Sequence, residues 1–249
     1  MPIILLLAIG FFVTALLYAS VGFGGGSTYA ALLALSGLDH RVLPLVVLAC
    51  NIVVVAGSML RFARDGLVPW KGALFLTALA APAAFIGGTI PLERETFMTL
   101  LGASLVLTMI TMLIPIPKNE ESQPTSAARY MPIAAMPIGF LAGLVGIGGG
   151  IFLAPLLHLS RWQNARAIAA TASFFILVNS LFALAGKLWT LGFSTFGSAI
   201  SGALPLLIAV VVGGQIGSLL AAKFLPLRWI RWLTGALVGV VGIRLLLGV

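Results

Sequence analysis

The chain is a succession of apolar runs, most of them long enough to cross a bilayer and nearly free of charge. They cover residues 2–21, 42–63, 69–89, 93–115, 131–147, 165–188, 194–222 and 226–247, with shorter apolar stretches at 27–36 and 151–160. Apolar stretches of about 18 residues or more with few charges are transmembrane helix candidates. Backbone polar groups in hydrocarbon must be satisfied within the protein, which restricts spanning segments to helices or closed barrels. The rest of the composition agrees: 61% of residues are apolar and 8% charged, and the mean hydropathy is +1.17. The expected fold is an all-α integral membrane protein. The apolar start of the chain lacks a basic leader and is followed by further spans, so it reads as a retained first span and not a cleaved signal peptide.

Fourteen Lys and Arg against six Asp and Glu give a formal charge of +8, a balance that in a soluble protein would suggest nucleic acid. Here the basic residues stand singly or in short groups between apolar runs, without interleaved aromatics. The positive-inside rule explains that distribution, and nucleic-acid binding is excluded. Cys50, the sole cysteine, lies inside an apolar run and allows no intrachain disulfide.

The pattern occurs twice. Gly22-Phe23-Gly24-Gly25-Gly26 returns as Gly146-Ile147-Gly148-Gly149-Gly150, 124 residues later, and Gly87-Gly88 returns as Gly213-Gly214 at an offset of 126. A polar stretch, residues 116–130, separates the copies. The expected organisation is a first repeat at 1–115, a linker at 116–130 and a second repeat at 131–249.

Charge placement orients the halves. Arg61, Arg64 and Lys71 flank the loop between the third and fourth segments of the first half, where the second half has only Lys187. In the second half the excess moves to the neighbouring loops, with Arg161 and Arg166 before and Lys223, Arg228 and Arg231 after. A bias that changes loops is expected of inverted-topology repeats. It puts those loops and the linker, with Lys118 and Arg129, in the cytoplasm and both termini outside. Each repeat then has four to five segments. Residues 22–26 extended and 27–36 helical would reach about 30 Å, enough for one broken crossing per half. Re-entrant hairpins would give eight crossings instead of ten, and both counts stay open.

The glycine stretches are the strongest local signal. Irregular backbone at membrane depth is tolerated where it is buried in protein or lines a cavity. The helix that follows presents free amides and the positive end of its dipole, an anion site that needs no charged side chain. Candidate substrate contacts are therefore Gly24, Gly25 and Gly26 with Ser27 and Thr28, and Gly148, Gly149 and Gly150. Ile151 and Phe152 replace the two hydroxyls in the second copy, so the site would be asymmetric. The alternative is that these glycines only let helices approach closely.

With these motifs in view, the chain resembles the TauE/SafE family, often called sulfite exporters. The duplicated Gly-x-Gly-Gly-Gly, Pro155 after Gly150, and Thr171-Ala172-Ser173 carry the resemblance, which covers essentially the whole chain. Ala31 and Val47 depart from the pattern in the first half. The resemblance implies an inner-membrane exporter of a small anion, sulfite or an organosulfur anion such as a sulfonate.

Other polar residues complete the candidate set. Asn51 and Asn179 sit in corresponding helices, and Thr171 and Ser173 precede Asn179 on its helix. Each is read either as a substrate contact or as interhelical or intrahelical glue. Arg61 and Lys187, at corresponding helix ends, and Arg166 are candidates to guard vestibules, or else snorkel to the interface. His40 is expected in a solvated turn, and His158 is a candidate for proton coupling. No Asp or Glu is expected at membrane depth, which disfavours a carboxylate relay or a core cation site. No metal or cofactor is expected. Coupling would be to protons, sodium or the substrate gradient. The leading function is secondary transport of a small anion by alternating access. A passive anion channel is the alternative, and a membrane-embedded enzyme lacks a constellation of ligands or a nucleophile with a base.

Overall fold

The computed structural model describes residues 2–19, 22–114, 125–220 and 227–248. These residues form ten α-helices: α1 (Pro2–Ala19), α2 (Gly26–Leu35), α3 (Leu43–Arg64), α4 (Trp70–Thr89), α5 (Arg94–Leu113), α6 (Met131–Val145), α7 (Gly150–Leu159), α8 (Ala165–Gly202), α9 (Leu204–Leu220) and α10 (Leu227–Leu246). No strand occurs among them. The protein is all-α, as the apolar runs require. Five of the helices combine the length and the hydropathy to cross a membrane by themselves.

One expected boundary is wrong. Residues 194–222 read as a single span, but the chain breaks inside them. Ala203 ends α8, so α9 begins at Leu204, whereas the kink at Gly192, with φ 80° and ψ 159°, falls between the runs 165–188 and 194–222. The continuous apolar composition conceals the break at Ala203. Of the expected linker, residues 116–124 lie outside the described residues, as does Lys223. Residues 125–130 are described: Ser126–Tyr130 forms a short 3-10 turn leading into α6. The Thr125 amide and hydroxyl both donate to the Ser160 carbonyl, at 3.1 and 3.0 Å, which fastens this turn to the end of α7.

Packing contacts fix the helix directions. α2 folds back along α1, with Leu32 against Gly10 and Phe11 stacked on Tyr29 at 4.6 Å between ring centres. α3 and α8 are antiparallel: Phe62 of late α3 and Ser173 of early α8 both border Gly22, while Asn51 and Ser180 both border Gly148. α5 and α10 are antiparallel as well, with Gly102 against Gly242 and Met112 against Gly235. α4 runs parallel to α6, Ala80 meeting Gly139 and Ala84 meeting Gly143. In the same way α1 runs parallel to α9, Phe12 meeting Gly213 and Leu16 meeting Gly217. Each helix of α1–α5 thus runs opposite to the helix five places later.

These contacts replace a hydrophobic drive that lipid does not supply. Between helices already in hydrocarbon, association depends on close van der Waals packing through small residues. At Gly143 a β-carbon would collide with the Ala84 carbonyl, and at Gly217 with that of Leu16. Large apolar side chains such as Ile133, Leu219 and Val240 point outward from the bundle, as lipid-facing residues do.

One end of the bundle collects the basic residues. α3 ends there with Arg61 and Arg64, α4 begins there with Lys71, and Arg129 precedes α6. Arg161 and Arg166 join them, because Trp162 packs over Gly72 and brings the α7–α8 turn to the start of α4.

Candidate functional site

The two glycine stretches come together inside the bundle. Gly25 and Gly149 hold left-handed backbone, at φ 78° and 75°, and each is the N-cap of a ten-residue helix, α2 and α7 respectively. Only glycine adopts that conformation without strain. In both loops it turns the extended chain sharply into a helix. The α2 N–H groups before Tyr29, whose own amide bonds to the Gly25 carbonyl at 3.0 Å, face forward without intrahelical acceptors. Since α2 and α7 run in opposite directions from nearby starting points, their positive dipole ends converge.

Asn51 sits between them. Its amide Nδ2 donates to the Ile147 carbonyl of the second loop at 3.2 Å. The same side chain presses on both loops: a β-carbon at Gly24 of the first would lie 2.6 Å from Asn51 Oδ1, and one at Gly148 of the second would lie 2.8 Å from Nδ2. The side chain is fully buried, and Oδ1 has no hydrogen-bond partner. The Ser27 hydroxyl, on the first turn of α2, is likewise buried and unpartnered.

A small cavity of about 10 Å³ lies at this junction, lined by Gly24, Gly25, Gly26, Ser27, Asn51 and Gly150 together with Tyr18, Phe23, Ile147, Ile151 and Ile176. That is room for roughly one water molecule. The junction is therefore closed to an anion of several heavy atoms. Its two walls differ in chemistry: Ser27 supplies a hydroxyl where Ile151 and Ile176 present hydrocarbon.

The remaining sequence-predicted residues divide. Thr28 donates to the Tyr18 hydroxyl at 3.4 Å, which ties α2 to the end of α1. Gly149 backs onto Ala142 and Phe175, one layer behind the cavity. Ser173 hydrogen-bonds to the Gly22 carbonyl and to that of Ala169 in its own helix. Asn179 donates to the Phe175 carbonyl of its own helix at 2.9 Å and does not reach the junction. Thr171 is buried in α8 with an unpartnered hydroxyl, also away from the cavity lining. Arg61 donates to Gln215 and Ser218 of α9. Arg166 is exposed at the basic end. Lys187 is buried and lines a separate cavity.

Two contributors were missed. Tyr18 lies inside an apolar run, and its signal was its place one helical turn before the first glycine stretch. Ser180, which faces Gly148, follows Asn179 directly. A polar pair in an apolar helix was the available signal. Among the described residues no group of three His, Cys, Asp or Glu is arranged to hold a metal ion.

Comparison with known proteins places this arrangement in context. The family described as Sulfite exporter TauE/SafE matches residues 6–245. A "probable membrane transporter protein" of Sinorhizobium fredii is 37% identical, over 96% of this chain and 97% of its own length. One of Methanocaldococcus jannaschii is 24% identical, over 98% and 95%. An Arabidopsis thaliana protein named "Sulfite exporter TauE/SafE family protein 1" is 36% identical over 43% of this chain and 24% of its own length. No solved structure matches.

Proposed function

The chain belongs to the sulfite exporter TauE/SafE family of multi-pass membrane proteins, and on that premise we propose that it is a secondary transporter exporting a small anion, sulfite or an organosulfur anion such as a sulfonate. The anion binds where α2 and α7 meet, between Gly24–Gly26 with Ser27 and Thr28 on one side and Gly148–Gly150 on the other. Asn51 contacts it through its Nδ2 amide. The observation that carries this reading is the convergence of two helix N-termini beside the buried, unpartnered Ser27 hydroxyl. A negative ion there gains from both dipoles and receives hydrogen bonds from amides and from the Ser27 hydroxyl.

Transport proceeds by alternating access of two inverted repeats, residues 1–115 and 131–249, joined by a cytoplasmic linker in the inner membrane. The opposite running of corresponding helices supports that topology, as does the exchange of pairings in which α4 on α6 is matched by α9 on α1. The extended glycine lead-in starts level with Phe62, and α2 continues toward the start of α3. That favours ten crossings, with both termini outside and the basic end in the cytoplasm. A junction with room for about one water favours an occluding transporter over an open anion channel. Protons, sodium or the substrate gradient drive the cycle.

Uptake into proteoliposomes of sulfite, thiosulfate, methanesulfonate, taurine, sulfate, lactate and chloride tests the proposal. Saturable, protein-dependent movement of a sulfur anion is expected. Folded protein that moves none of them overturns the substrate class, and non-saturating flux overturns alternating access.

A further inference from the structure

Arg61 and Lys187 occupy corresponding points of α3 and α8, yet their surroundings differ. The Arg61 guanidinium is engaged across the helix interface by the Gln215 side-chain carbonyl at 3.4 Å and by the Ser218 hydroxyl. The Lys187 ammonium is in a residue only 7% exposed and makes no ion pair or hydrogen bond among the described residues. It lines a cavity of about 570 Å³ at the end of the bundle opposite the basic cluster, between α8 and the turns that join α2 to α3 and α4 to α5.

The groups facing this cavity are chemically sorted. His40 and Arg41 face it from the α2–α3 turn, and Phe97, Ile90 and Leu191 supply apolar wall. Two carboxylates lie nearby. Glu93 on the rim is exposed. Asp39 is held locally, 3.2 Å from the His40 ring and accepting the Arg41 amide at 2.9 Å. Neither pairs with Lys187. A buried, unpaired ammonium costs several kcal/mol unless something compensates it. An anion from solvent would be that compensation.

We propose that the Lys187 cavity is a second anion-binding subsite, which takes the headgroup of a sulfur oxyanion or sulfonate, with a small organic substituent against Phe97 and Leu191. The inference rests on the transporter reading for its ligand class. It goes beyond it by assigning a separate site on the face opposite the basic end. Lys187 acts as a compact point charge, while its counterpart Arg61 is occupied by α9. The two vestibules are therefore chemically unequal, and only the Lys187 side holds an anion.

Two measurements test this. In a Lys71→Arg, Lys118→Arg, Lys223→Arg protein, Lys187 is the remaining lysine, and its modification by trinitrobenzenesulfonate is followed by peptide mass spectrometry. Methanesulfonate should slow that modification severalfold, and neutral dimethyl sulfone should not. Equal rates with and without methanesulfonate, or no modification of Lys187 at all, overturn the subsite. In proteoliposomes, Lys187→Gln should raise KM for the transported sulfur anion about tenfold with kcat nearly kept, and Lys187→Arg should restore most of the loss. An unchanged KM also overturns it. Labelling does not depend on transport. Protection of Lys187 in a protein that moves no sulfur anion would refute the transport reading and uphold the subsite.

Discussion

Asn51 of α3 donates a hydrogen bond to the carbonyl of Ile147 at 3.2 Å, linking a helix of the first half to the glycine stretch of the second. Its counterpart in the second half, Asn179, spends its amide on the Phe175 carbonyl of its own helix. One of two matched asparagines therefore joins the halves, and the other stays local. Asn51→Ala leaves the Ile147 carbonyl buried without its donor, at a cost of about 1–3 kcal/mol, and should abolish sulfur-anion uptake. Asn179→Ala should cost less stability and leave measurable uptake. Thermal unfolding in detergent, alongside the uptake assay, separates the two. Equal losses from both would mean that Asn51 has no special place between the loops.

The positive-φ glycines allow a controlled comparison. Gly25 at φ 78° faces Thr14, where a new β-carbon would lie 2.9 Å from Cγ2. Gly37 has a similar φ of 76° with nothing within 4 Å. Alanine at either position carries a left-handed backbone penalty of roughly 1–2 kcal/mol, but only at Gly25 does it also push on α1 beside the site. Gly25→Ala should lose uptake, and Gly37→Ala should retain it with a modest fall in melting temperature. Matched behaviour of the two would reduce the Gly25 loop to ordinary backbone strain.

The parts of this molecule that were legible in the sequence are those set by local composition. Apolar runs required helices, and the two Gly-x-Gly-Gly-Gly stretches marked where α2 and α7 begin. The family followed from the same motifs. Tertiary choices were not legible. Spacing treats Asn51 and Asn179 as equals, and only the packed bundle shows which one finds a partner in the other half. The bond from Arg61 to Gln215 and Ser218 joins residues more than 150 positions apart, with no periodicity to announce it. Ala203 broke an apolar stretch that hydropathy reads as continuous, because lipid-compatible composition does not depend on backbone direction.

Helix contacts built on carbonyl oxygens leave no room for larger side chains. A β-carbon at Gly143 meets the Ala84 carbonyl, and the neighbours that would have to move are backbone. Gly143→Leu should therefore separate α4 from α6 and abolish folded yield, as judged by size-exclusion chromatography in detergent. Gly197→Leu, where nothing lies within 4 Å, should give protein in normal yield. A monodisperse Gly143→Leu protein would show that the α4–α6 contact is dispensable.

The bridge from α3 to α9 predicts an energetic coupling. Arg61 reaches Gln215 and Ser218 across an interface where α9 stands further off than α4 does from α8: a β-carbon at Gly214 would lie 3.5 Å from Val54, whereas Gly186 and Gly88 bring α8 and α4 into backbone contact. With so little backbone packing there, the polar bridge carries a larger share of the contact. A double-mutant cycle of Arg61→Ala and Ser218→Ala should show a coupling of about 0.5–1 kcal/mol, as partly exposed charged hydrogen bonds do. Strict additivity would mean that the bond does not form in the folded protein. The same Arg61→Ala protein should keep the wild-type response of Lys187 to methanesulfonate, because the two cations serve opposite ends of the bundle. If protection at Lys187 falls with loss of Arg61, the two vestibules are coupled and do not act as separate sites.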